Sequence, residues 1–303
     1  MLTVVALGGN ALLRRGDPLD ATVQRANLKI AAEAVAEIAL DHRVVLTHGS
    51  GPQVGLLALQ NEAYDDVRAY PLDLLDAETE GMVGYLLEQE LGRHLPRERL
   101  ATLLTQVIVD AHDPAFATPT KFVGPAYEPR DAKFLAHERG WTVAADGDLW
   151  RRVVPSPEPL RIVEIATIRL LVDHGVTVIC SGGGGIPVVP DCAGGLRGVD
   201  AVIDKDLSAA LLATELGADA LVLLTDVDAV YRDWEGPAQR AIRETSTAEL
   251  RSIQCAPGSM GPKVEAVCRF VDAGGRLGAI GALQDAGRIL DGDAGTIVRG
   301  PDG

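Results

Sequence analysis

Apolar positions along the chain follow two periods. Short runs at 3–7, 44–46, 100–109, 176–180, 220–224 and 277–280 are apolar almost throughout and rich in β-branched residues, which predicts buried strands. Helical spacing predicts helices at 21–40, 82–91, 162–173, 204–216 and 263–273. In the first of these, Leu28, Ala31, Ala32, Val35, Ile38 and Ala39 recur on one face. Strands of this kind alternating with amphipathic helices predict an α/β fold with a mainly parallel sheet covered on both faces. The chain shows no repeat of fixed period and no low-complexity tract.

Residues 110–157 break the rhythm. They make up 48 of 303 residues yet hold six of twelve aromatics (Phe116, Phe122, Tyr127, Phe134, Trp141, Trp150) and six of seventeen prolines. Such a shift predicts an inserted lid with a small core of its own, since long insertions in compact α/β domains are usually functional. The alternative is a surface excursion that merely packs on the body.

Composition narrows the classes. With 47% hydrophobic and 23% charged residues the chain is an ordinary folded domain, long enough to bury a sizeable core. No apolar run reaches the length of a membrane helix, and the first ten residues lack a basic n-region and a cleavage site, so a cytoplasmic protein is expected. The net charge of −15 argues against general nucleic-acid binding. Cys180, Cys192, Cys255 and Cys268 show no CxxC pair or metal-ligand spacing, and reduced thiols are expected.

Three predicted strands run into glycine-rich turns: Gly8-Gly9-Asn10, Gly49-Ser50-Gly51-Pro52, and Ser181 followed by Gly182 to Gly185. Glycine lets backbone N–H groups crowd around an anion, and a following helix N-terminus adds a favourable dipole. One such turn is equally well a tight connection; three at strand ends point to an anion or phosphate site. No Walker A loop, GxGxxG, HRD, DFG or HExxH motif occurs, and the six histidines lack ligand spacing.

Of the 28 basic residues only five are lysine: Lys29, Lys121, Lys133, Lys205 and Lys263. Phosphoryl transfer asks mainly for positioning and for cations that neutralise charge on the moving group, so each lysine beside a strand end or glycine turn matters. Lys205 sits between Asp204 and Asp206 where a helix begins, Lys263 follows Gly261-Pro262, and Lys121 lies in the insertion. The plainer alternative for 204–206 is an N-cap with a first-turn carboxylate and a solvated lysine. Lys29 and Lys133 lack glycine context and read as surface residues. Asp226 would bond a ribose or fix a loop; Tyr231 would flank a base or simply pack.

These segments carry a resemblance. ALGGNALL (6–13), THGSGPQVG (47–55), DPAFATPTKFVGPAY (113–127), RRVVPSP (151–157), SGGGGIPVV (181–189), AVIDKDLSAALLA (201–213), LLTDVDAVY (223–231) and GSMGPKVEA (258–266) together resemble the carbamate kinases of the amino acid kinase family, in order and over essentially the whole chain. The resemblance implies one domain over 1–303, an open αβα sandwich with about eight strands, and an inserted lid at 112–153. Residues up to about 200 would hold carbamate and the phosphoryl group, and the remainder the nucleotide. It implies a homodimer and the reaction ATP + carbamate ⇌ ADP + carbamoyl phosphate with Mg²⁺ held through the nucleotide phosphates, used in cells toward ATP.

On the matching positions, Gly8, Gly9, Asn10, Gly49, Ser50 and Gly51 would line the substrate pocket. Lys121, Lys205 and Lys263 would bind the phosphoryl group, with Asp206 orienting two of them. Gly182, Gly183, Asp226, Tyr231, Met260 and Lys263 would line the nucleotide site. Ala6 stands where many amino acid kinases carry a lysine, a role the lid lysine takes in carbamate kinases. Three positions depart from the family: Ser50 for the common Asn, Phe122-Val123 for Pro-Ile, and Glu80 for the common Gln. Glu80, near the mouth, would disfavour an anionic substrate if it turned inward. Alternatives are a kinase of the same family acting on another small acid or phosphate ester, and a catalytically silent nucleotide-binding regulator.

Overall fold

A computed structural model describes residues 1–13, 17–64, 66–253 and 260–300. Its main sheet has eight strands in the spatial order Glu244–Thr245, Thr296–Arg299, Leu277–Ala282, Ala220–Thr225, Leu2–Leu7, Arg43–His48, Thr177–Ile179 and Leu100–Thr102. All neighbours run parallel except Leu277–Ala282 with Thr296–Arg299.

The strand Leu2–Leu7 shows why the sheet must be covered twice. Leu2, Val4 and Ala6 belong to one buried cluster with Ile168, Leu212, Val267 and Phe270. Val5 and Leu7 belong to the other, with Leu28, Val35, Val83, Leu87 and Ile289. The side-chain period of two sends successive residues to opposite faces, and helices close both. Helices Ile165–Asp173, Lys205–Leu216 and Met260–Asp272 contribute to the first face; Ala21–Asp41, Leu72–Leu91 and Ala286–Leu290 contribute to the second.

Several boundaries differ from expectation. The apolar run 100–109 is two strands: Leu100–Thr102 closes the main sheet, and Gln106–Ile108 pairs with Ile186–Pro190 and Arg161–Ile162 in a second sheet. The helix expected at 82–91 spans Leu72–Leu91. The helix expected from Lys263 spans Met260–Asp272; Gly258 and Ser259 of its motif, and Cys255, lie outside the described residues.

Within the compositionally distinct segment, Lys121–Tyr127, Thr142–Asp146 and Leu149–Val154 form a separate antiparallel sheet with helix Pro129–Arg139. Val123 and Val154 join Val54, Ala58, Leu72, Leu75 and Val202 in a small buried cluster. No helix among the described residues is long and apolar enough to cross a membrane.

Candidate active site

Parallel strands put their C-terminal ends on one edge of the sheet, and the turns at that edge are brought together. The Gly8 amide donates to the Leu224 carbonyl at 2.8 Å and the Gly49 amide to the Leu7 carbonyl at 3.1 Å, tying three strand ends side by side. Gly49 lies so close to its neighbours that a Cβ there would stand 3.2 Å from the Gly9 nitrogen and 3.4 Å from Lys205 Cδ. The first two glycine turns and Lys205 therefore share one site. Asn10 follows Gly9 in the short helix Gly9–Leu12; its side chain lies outside the described residues.

Lys205 opens helix Lys205–Leu216, whose cap is Asp204: Asp204 Oδ1 accepts from the Asp206 and Leu207 amides at 2.9 and 3.2 Å. Asp206, one residue into the helix, is buried, and each of its oxygens takes a different ammonium group. Lys205 Nζ donates to Oδ1, and Lys263 Nζ donates to Oδ2 at 3.0 Å. Lys121 arrives from the small antiparallel sheet and donates to Asp204 Oδ2 at 2.6 Å. Among the described residues, three lysines thus stand on two aspartates, one positive charge more than the carboxylates carry.

The electrostatics follow from that packing. Burial alone would raise the Asp206 carboxyl, but the two ammonium groups outweigh it and hold the group far below the ordinary carboxylate range. For Asp204, Lys121 likewise outweighs burial and lowers the carboxyl. Burial pushes the Lys205 ammonium down, opposed by Asp206. Both aspartates are committed to cations, so neither is available as a general base at neutral pH.

The third glycine turn is braced by Glu80 together with two residues that sequence reasoning did not single out, Thr105 and His48. Ser181 and Gly183 adopt left-handed backbone, at φ 52° and 68°. Glu80, expected near the mouth, is buried instead: Oε1 accepts from the Gly182 amide at 2.8 Å and Oε2 from the Thr105 amide at 3.0 Å. Its carboxyl group braces the turn, accepting from two buried backbone donors that need a partner. His48 packs on the same turn. Its Nδ1 lies 3.1 Å from the Gly49 carbonyl, which assigns the proton to Nδ1, and burial pushes the ring down to about 4, so it is neutral near pH 7. A Cβ on Gly183 would stand 2.3 Å from Ser50 Oγ. Gly182 and Gly183 therefore lie against the 48–50 turn.

Asp226 directly follows strand Ala220–Thr225, whose end adjoins Gly8, and accepts from Thr225 Oγ1 at 3.0 Å. Tyr231 donates from its hydroxyl to Asp228 Oδ1 at 2.6 Å and packs edge-on against Trp234. Met260 packs against the first core cluster at the described start of the Lys263 helix. The small sheet closes over helix Gly51–Glu62 from outside: Glu62 accepts from Arg139, Arg152 and Trp141 at 2.8, 3.3 and 3.2 Å. Phe122 and Val123 stand where this sheet meets the site, the Phe122 carbonyl lying 3.9 Å from a Cβ built on Gly51.

A model of the amino acid kinase family matches residues 1–280. Carbamate kinase of Rhizobium meliloti (strain 1021) is 56% identical over 301 residues, covering 98% of this chain and 93% of its own. That of Haemophilus influenzae is 53% identical over 299 residues, covering 98% and 96%. Carbamate kinase from Giardia lamblia, solved bound to AMP-PNP, matches with a TM-score of 0.88 at 40% identity, covering 99% of this chain and 98% of that one.

Proposed function

We propose, for a chain that belongs to the amino acid kinase family and within it to the carbamate kinases, that the lysine–aspartate array at the strand ends is what performs the transfer. The reaction is the reversible passage of a phosphoryl group between ATP and carbamate, giving ADP and carbamoyl phosphate. The carrying observation is the array itself: Lys205 and Lys263 on Asp206, and Lys121 on Asp204, one positive charge in excess beside two glycine turns.

Carbamate already bears an anionic oxygen nucleophile, so the transfer needs no general base. The difficulty is bringing two anions together, and converging cations with backbone N–H groups supply the compensation. In this reading Gly8, Gly9, Asn10, Gly49, Ser50 and Gly51 receive carbamate and the moving phosphoryl group. Lys121, Lys205 and Lys263 neutralise the charge developing on it, and Asp206 fixes the last two. Gly182, Gly183, Asp226, Tyr231 and Met260 belong to the nucleotide side; Gly182 and Gly183 apart, residues up to about 200 serve the acceptor, and the rest serve ATP, with Lys205 and Lys263 reaching the group in transit. The segment 112–153 acts as the lid that brings Lys121.

Mg²⁺ accompanies the nucleotide. The carboxylates of the array are already held by lysines, so the fitting place for the ion is on the phosphates, where it supplies further charge neutralisation. We place the enzyme in the cytoplasm, working toward ATP.

The chain also pairs with a second copy. Helix Leu72–Leu91 exposes Leu74, Met82 and Tyr85 on one face, with Leu104 beside Gly81 and a groove lined by Tyr64, Val67 and Tyr70 next to Glu78. Apolar surface this continuous is what a homodimer covers.

The test is ATP formation from ADP, Mg²⁺ and carbamoyl phosphate, beside Lys205→Ala. The wild type is expected to turn over and the variant to lose roughly 10²–10⁴ in kcat with its fold intact. Wild-type turnover in Lys205→Ala would remove the array from the chemistry. A wild type that binds ADP without turnover would point to a different small acid or a silent regulator.

A further inference from the structure

Asp204 holds two structures together, one with each oxygen. Oδ1 caps helix Lys205–Leu216 through the Asp206 and Leu207 amides, and Oδ2 takes Lys121 Nζ at 2.6 Å from a segment 83 residues earlier. A cap alone is satisfied by Ser, Thr or Asn as well as Asp, because it needs only an oxygen acceptor. The contact with Lys121 is what needs the negative charge. The pair is largely withdrawn from solvent, with side chains 14% and 29% exposed, so it is screened less than a surface pair.

The geometry around it is asymmetric. Lys205 and Lys263 sit on helices of the main body and share Asp206. Lys121 is the first residue of the strand Lys121–Tyr127 in the separate sheet, so its ammonium is not carried by the helices that hold the other two. At the same end of that sheet, where Val154 pairs with Lys121, the Val202 amide donates to the Pro155 carbonyl at 3.0 Å, two residues before Asp204. The segment 202–204 thereby grips the excursion at both ends, by backbone at its exit and by charge at Lys121.

We propose that Asp204 is a positioning residue: its charge docks the 121–154 subdomain and sets Lys121 in register with Lys205 and Lys263, separately from its capping of the helix. The inference rests on the reading that Lys121 serves the transferred group.

Asp204→Asn separates the two roles, since Asn caps as well as Asp but carries no charge. Asp204→Asn, Lys121→Met and the double variant are compared for kcat and KM in ATP formation from ADP and carbamoyl phosphate, and for thermal midpoint. Asp204→Asn is expected to keep a near-wild-type midpoint and to lose about 10–100-fold in kcat/KM, the scale of a misplaced catalytic group. In the Lys121→Met background the same change is expected to cost less than about threefold, because its target is already gone. The single Asn variant is also expected to make residues 110–157 more susceptible to limited proteolysis. An equal loss in both backgrounds would show that Asp204 acts through the helix, and wild-type kinetics in Asp204→Asn would remove it altogether; either overturns the proposal. Wild-type kinetics in Lys121→Met instead overturns the reading of Lys121 on which it stands.

Discussion

Glu80 shows how one carboxyl can be misjudged from its neighbours in sequence. Burial pushes its pKa up to about 8, against the lowering effect of the Thr105 and Gly182 amides. Asp76 on the same helix and Glu164 beside Gln106 stand near it with the same sign, and neutral His48 packs on the same turn. A group whose folded pKa is raised contributes its stability in full below the unfolded value near 4.5, and that contribution is lost as pH rises through 8. Glu80→Gln removes the titration while keeping one acceptor for the turn. Its thermal midpoint relative to wild type is therefore expected to climb between pH 5 and about 8 and then level off, by several degrees in all. Melting curves of both proteins at pH 5, 6.5 and 8 measure this. A constant difference across that window would mean that Glu80 does not titrate there.

At the level of elements, the contact between helix Gly51–Glu62 and the small sheet decides how Lys121 is carried. A Cβ on Gly55 would lie 2.0 Å from Gly124 Cα, and Gly124 itself has a left-handed φ of 70°, so two backbones touch where no side chain fits. Gly55→Ala must push the sheet outward. It is expected to cost at least tenfold in kcat/KM, the consequence of displacing Lys121 by a fraction of the roughly 1 Å that can cost 10²-fold, with a smaller effect on ADP affinity. Kinetics that match wild type would show that the sheet adjusts without moving the lysine. The same contact explains what the sequence could reveal. Strands 3–7 and 220–224 are legible because parallel strands buried on both faces read as unbroken apolar runs. Helix Gly51–Glu62 is hidden because Gly51, Pro52 and Gly55 weaken its local propensity, and Gly55 is present for a tertiary reason. The run 100–109 reads as one strand, yet Thr105 spends its amide on Glu80, its hydroxyl on the Ser181 amide and its carbonyl on the Ile186 amide, which breaks it between two sheets. Lys121, Lys205 and Lys263 stand out because lysine is scarce. The role of Asp204 toward Lys121 leaves no spacing signal, since its partner lies 83 residues away.

For the whole molecule, a net charge of −15 opposes self-association, whereas the array keeps a local positive excess that needs no basic surface around it. A second copy is therefore met most favourably over surface that carries little charge of the same sign. The face of Leu74, Met82 and Tyr85, with Leu104 and the adjoining Tyr64, Val67 and Tyr70, is mostly apolar; Glu78 lies within it, and Asp66 and Arg68, exposed on either side of Val67, are charged neighbours of opposite sign. Tyr85 is 54% exposed in the single chain although its helix neighbours Leu86 and Leu87 are buried, so its ring belongs to the outer face and not to the core. Tyr85→Glu adds a charge within this face and, in a dimer, sets that charge in the buried contact, where desolvation is costly. Sedimentation at micromolar concentration is expected to give about twice 31.9 kDa for the wild type and the single-chain mass for Tyr85→Glu. The array and its glycine turns lie within one chain, so the dissociated variant is expected to retain ATP formation within about tenfold of wild type, as for a surface substitution away from the reacting groups. A wild-type mass of 31.9 kDa would remove the dimer, and an unchanged mass in the variant would move the interface to another face.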